Sequence, residues 1–135
     1  MYKIACVLLV EDDPITQFVA LKAIKTANYF QEIKACKTGE DALEYLTLRA
    51  ASNDPAPELI FFDINLPGLS GYDFYKKILK LPFSNKSKMI CCVVTNSSHS
   101  KDKDIFNKLG VQEYLMKPLL KEVIDQIYVK YFIKK

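Results

Sequence analysis

The chain has a single histidine, His99, and its four cysteines have no zinc-ligand spacing, so a zinc site is not expected. No apolar segment approaches the length needed to span a membrane. The N-terminal apolar run, Ile4–Val10, is short and ends in Glu11-Asp12-Asp13 rather than at a small-residue cleavage site, which argues against a signal peptide. Internal repeats, low-complexity stretches and domain linkers are also missing. Basic charge is modest: the formal net charge is +3, with no basic patch carrying interleaved aromatics, so nucleic acid is not an expected partner. Part of the excess sits in Lys130, Lys134 and Lys135, which read as a solvated helix end. These absences together predict a soluble, cytoplasmic protein that engages neither membrane nor nucleic acid.

What is present suits one packed unit. Of 135 residues, 50% are hydrophobic, 12% aromatic and 26% charged, enough apolar side chain for one core and one domain over residues 1–135. Cys6, Cys36, Cys91 and Cys92 lie in apolar, strand-like runs and read as buried, reduced thiols.

The pattern alternates between short apolar runs and helical spacing. The run over 4–10 is continuous and partly β-branched, as expected of a strand covered on both faces. Asp13 and Pro14 then supply an N-cap and a first helical residue. Further strands are predicted over 32–36, 59–63, 89–94 and 113–116. Helices are predicted over 40 to about 49, 72 to about 81, 102–109 and from beyond Pro118 to about Tyr131. A loop is expected over 50–58, where two prolines, Ser, Asn and Asp interrupt the helical pattern. Five βα units in succession predict a parallel sheet with helices on both faces.

In such a sheet ligands gather at the carboxyl ends of the strands. Those ends hold Glu11 and Asp12, Asp63, Thr95, and Lys117. Three crowded carboxylates with one lysine favour a hard divalent cation, Mg²⁺ above all, since every side-chain donor is oxygen. A carboxylate can act as nucleophile and form an aspartyl-phosphate. Lys117 then suits the phosphate as a point charge, and Thr95 as a hydroxyl donor.

At these residues the chain resembles the receiver domains of two-component response regulators, in particular their single-domain, chemotaxis-regulator-like members. Val10-Glu11-Asp12-Asp13-Pro14 is similar to the family's acidic pair after the first strand. Asp63-Ile64-Asn65-Leu66-Pro67-Gly68-Leu69-Ser70-Gly71 resembles its phosphoacceptor loop, Val93-Val94-Thr95 its switch threonine, and Tyr114-Leu115-Met116-Lys117-Pro118 its aromatic-x-x-Lys-Pro signature. The resemblance implies a flavodoxin-like (βα)5 fold with strand order 2-1-3-4-5. It implies that Asp63 accepts the phosphoryl group. Asp12, Asp63 and the backbone carbonyl of Asn65 would ligate Mg²⁺, with Glu11 acting through water. Lys117 would pair with the phosphate, while Thr95 and Tyr114 would form the switch. It further implies a cis Lys117-Pro118 bond, and a domain that is not an enzyme on another substrate but catalyses its own Mg²⁺-dependent phosphorylation and dephosphorylation. The implied partners are a sensor histidine kinase as donor, and a downstream protein or phosphotransfer domain that reads the face of the fourth helix, fifth strand and fifth helix. No output domain is expected after Lys135.

Two departures stand out. Asn96 follows the switch threonine where the family usually has a small residue, and the 50–58 loop is longer than usual and expected to be an inert insertion. Other readings are weaker. A phosphohydrolase of the haloacid dehalogenase type needs a second aspartate two residues after the nucleophile, and that position is Asn65. A flavin phosphate would be repelled by the acidic first loop. A receiver-like interaction module working without phosphorylation would be expected to have lost Asp63, Lys117 or the acidic pair, and all are present.

Overall fold

The computed structural model describes residues 3–133, so Lys134 and Lys135 of the basic tail lie outside the described residues. The elements run β1 (Ile4–Val10), α1 (Pro14–Ala27), β2 (Phe30–Cys36), α2 (Gly39–Ala51), β3 (Leu59–Phe62), α3 (Gly71–Ile78), a 3₁₀ turn (Lys86–Lys88), β4 (Ile90–Thr95), α4 (Ser100–Leu109), β5 (Glu113–Met116) and α5 (Lys121–Tyr131). All four strand pairings are parallel, and the order is β2-β1-β3-β4-β5, as the resemblance implied.

Strand side chains point alternately to the two faces of the sheet. Leu8, Val10, Ile60, Phe62, Cys91 and Val93 meet Leu46, Phe74, Ile78 and Phe106 of α2, α3 and α4. Val7, Leu9, Phe61, Cys92 and Val94 meet Ile24, Ile124, Ile127 and Tyr128 of α1 and α5. Both faces are therefore buried, which is why the central strands read as unbroken apolar runs. The four cysteines are buried and free, as read from the sequence, and burial pushes the Cys91 thiol up to about 12.

Element ends differ from the pattern reading for local reasons. Asn28 takes a left-handed conformation (φ 60°), closes α1 and reverses the chain at once, so β2 starts at Phe30 rather than residue 32. Ala50 and Ala51 are good helix formers and extend α2 into the expected loop. What remains of that loop is tied down: Arg49 Nε donates to the Pro55 carbonyl (2.9 Å), and the Asn85 amide bonds both the N–H (2.9 Å) and the carbonyl (3.1 Å) of Ala56. Helix α3 stops at Ile78, short of Leu81, and tight turns such as Leu81 N–H to Ile78 O (3.1 Å) lead into Pro82, which disfavours helix in the residue before it. Helix α4 begins two residues earlier than its pattern, at Ser100, and ends at Gly110, whose φ of 94° suits a residue without Cβ. Lys130 is not simply solvated, because it pairs with Glu113 at 2.7 Å.

The register places the polar strand ends together. Val10 lies beside Phe62, so Glu11 and Asp63 both follow immediately on neighbouring strands. Thr95 lies beside Met116, which brings Lys117 to the same edge.

Gly71 opens α3 where the helix meets the phosphoacceptor-like loop. A Cβ there would overlap the Asp63 carbonyl oxygen and lie 2.6 Å from the Ile64 Cα, and both obstacles are backbone. Gly71→Ala is expected to lose about 1–3 kcal/mol in urea unfolding, the usual scale of overpacking. An unchanged midpoint would show that this approach is looser than described.

Candidate functional site

The site forms where β1, β3, β4 and β5 end. Glu11 and Asp63 are 4% and 6% exposed, and carboxylates so buried require partners. Lys117 supplies one to each: its Nζ lies 2.8 Å from Glu11 Oε1 and 2.8 Å from Asp63 Oδ2. Burial by itself would lower the Lys117 pKa, but the hydrogen bonds and charges of Asp63 and Glu11 outweigh it and hold the ammonium above its ordinary value. The remaining oxygens are also used. Asp63 Oδ1 accepts from the Asn65 backbone N–H (3.2 Å), and Glu11 Oε2 accepts from the Asp13 backbone N–H (3.0 Å).

Asp12 is exposed at the mouth of the site. It does not cap α1. Asp13 does, accepting from the Thr16 N–H (2.8 Å) and hydroxyl (2.7 Å). Glu11, Asp12 and Asp63 each offer an oxygen, and these atoms lie within 4.8 Å of one another. The donor set is all oxygen, and its three negative charges are only partly offset by Lys117. Both features fit a hard divalent cation. The Lys117-Pro118 peptide is cis.

The β4–α4 loop gathers the expected switch residues around one serine. Thr95 is fully buried, and its hydroxyl accepts from the Ser97 N–H (3.2 Å). The half-buried Tyr114 donates its hydroxyl to the Ser97 carbonyl (3.1 Å), with its ring 6.5 Å from that of Phe106. Burial, reinforced by the charges of Asp102 and Asp63, raises the Tyr114 pKa against the opposing effect of Ser97, so the phenol stays a donor at neutral pH. The Ser97 hydroxyl in turn donates to Asp102 Oδ2 (2.6 Å). Asn96 and His99 are exposed.

The sequence expectations named Glu11, Asp12, Asp63, Asn65, Thr95, Tyr114 and Lys117, and the fold draws all seven toward one end of the sheet. They missed Asp102 and Gln17. Asp102 reads as an ordinary acidic residue at a helix start. Gln17 reads as a polar residue on the first turns of α1, yet its amide donates to the backbone carbonyls of Glu11 (3.1 Å) and Cys36 (3.3 Å). No local signal distinguishes either from a solvated side chain.

Comparison with known proteins agrees with this geometry. The family model for the response regulator receiver domain matches residues 7–128. Rcp1, a response regulator of Synechocystis, is 32% identical over 113 residues, which are 82% of this chain and 75% of that protein. The transcriptional regulatory protein CitT of Halalkalibacterium halodurans is 30% identical over the whole chain, which spans only 55% of CitT. A two-component response regulator from Cytophaga hutchinsonii has a crystal structure that superposes with a TM-score of 0.84 at 28% identity, covering 96% of this chain and 97% of that one. The Mn²⁺-bound form of Rcp1 superposes at 0.77 with 25% identity, covering 97% of each chain. Family match, strand order and the clustered acidic site agree: the chain belongs to the response regulator receiver domain family of two-component systems.

Proposed function

We propose that residues 1–135 act as one phosphoacceptor switch, in which Asp63 takes a phosphoryl group from a sensor histidine kinase in a Mg²⁺-dependent reaction. The observation that carries this reading is the Lys117 ammonium held between Glu11 and Asp63, beside the exposed carboxylate of Asp12. Asp12, Asp63 and the backbone carbonyl of Asn65 would hold Mg²⁺, with Glu11 reaching it through water. The bound ion would supply positive charge against the phosphoryl oxygens.

An Asp63 carboxylate oxygen attacks the donor phosphorus. The P–N bond of a phosphohistidine breaks, its electron pair stays with the imidazole, and an acyl phosphate forms on Asp63. Lys117, already 2.8 Å from Asp63 Oδ2, needs little movement to meet the arriving charge. The domain catalyses this transfer and the later hydrolysis on itself, and acts on no separate substrate.

The signal follows from a change of partners at Thr95. Its hydroxyl turns toward the phosphoryl group, Ser97 loses its acceptor, and Tyr114 is released to move inward. That shift favours a second arrangement of α4, β5 and α5, which a downstream protein or phosphotransfer domain reads. Among the described residues no helix is long and apolar enough to cross a membrane.

Intact-mass measurement after incubation with acetyl phosphate tests the chemistry. The wild type should gain one phosphoryl group only with Mg²⁺, and Asp63→Asn should gain none. A folded wild type that gains none would instead indicate an interaction module that works without phosphate. The switch has a separate test. The Ser97–Asp102 bond holds the loop in its present arrangement, and one hydrogen bond is worth about 1 kcal/mol, roughly five-fold in a two-state balance. Asp102→Ala should therefore speed phosphorylation by acetyl phosphate by up to roughly five-fold. An unchanged or slower rate would remove Asp102 from the switch.

A further inference from the structure

Asp12 differs from its two acidic neighbours. Glu11 and Asp63 are fixed by Lys117 and by backbone N–H groups, whereas the Asp12 carboxylate makes no hydrogen bond or ion pair with any described residue. Its place within 4.8 Å of the other two is therefore set by the backbone of residues 11–13 alone. Three backbone ties hold that segment. The Glu11 N–H donates to the Cys36 carbonyl (3.0 Å), the Asp13 N–H donates to the Glu11 side chain (3.0 Å), and Asp13 caps α1. Thr16 and Lys117 bond the side chains of Asp13 and Glu11, but among the described residues the outside side chain that bonds this segment's backbone is Gln17. Its amide nitrogen bonds the Glu11 carbonyl, directly before Asp12, and the Cys36 carbonyl at the end of β2. These carbonyls lie where β1 and β2 run out.

We infer that Gln17 is a positioning residue for the cation site: by tying the ends of β1 and β2 to α1 it aims Asp12, and so sets divalent-cation affinity without touching the ion. This rests on the proposed Mg²⁺ role of the acidic cluster. Outer residues that orient ligands typically change metal affinity ten-fold or more when removed. The alternative is that Gln17 only steadies α1, in which case its loss lowers stability and leaves affinity alone.

The two are separated by calorimetric titration of wild type, Gln17→Met and Gln17→Asn with MgCl₂. Methionine matches glutamine in length and helix propensity but has no donor. Asparagine keeps the amide but is too short to span both carbonyls, and it carries the test if the Met variant does not fold. Both variants should bind Mg²⁺ roughly ten-fold more weakly than wild type. In acetyl phosphate assays they should need correspondingly more Mg²⁺ for half-maximal rate, yet approach the wild-type rate at saturation. Wild-type Mg²⁺ affinity in both variants would overturn the role of Gln17, as would a lowered rate that saturating Mg²⁺ does not restore. A wild type that binds no Mg²⁺ at all would overturn the cation reading itself, a result distinguishable from the others before any variant is compared.

Discussion

The site depends on one ammonium group. Glu11 and Asp63 are carried into a nearly dry position by apolar strands, and two unpaired carboxylates there would be strongly unfavourable. Lys117 resolves this by bonding one oxygen of each, and its own burial is offset by the same two contacts. Neutralisation is incomplete, since three carboxylates face one lysine. The leftover negative charge is what suits the site to a hard divalent cation.

Sheet geometry makes this arrangement possible. In a parallel sheet every strand ends on the same edge, so residues that follow the last paired position of β1, β3 and β5 become neighbours although they lie far apart in sequence. The apolar layers on both sides exclude water from the strands and leave the polar ends as the place where charge collects. Gly71 contributes by letting α3 start against the backbone of Asp63 and Ile64 without a side chain in the way.

Around this rigid centre the β4–α4 loop is held by hydrogen bonds rather than by buried apolar contact. Ser97 bonds Thr95, Tyr114 and Asp102 at once, so a change at one is felt at the others. Such a loop has two arrangements close in energy more readily than a packed core does. The longer connection after α2 behaves differently: Asn85 and Arg49 fasten it to the body of the domain.

The sequence alone determined the βα alternation, the faces that pack, and the residues at the strand ends, because apolar runs and helical spacing are local and the carboxylates that interrupt them are conspicuous. It also carried Glu11, Asp12, Asp63, Thr95 and Lys117 as candidates from the strand ends, and Tyr114 from the family resemblance. Tertiary structure alone decided that one lysine serves two acids, that Ser97 joins Thr95 to Tyr114 and Asp102, and that Gln17 reaches across to the ends of β1 and β2. Each of those is a contact between elements whose spacing in sequence says nothing about distance. A polar side chain on a helix looks the same in sequence whether it faces solvent or a neighbouring strand end, and only the packing of α1 and α4 on the sheet distinguishes the two.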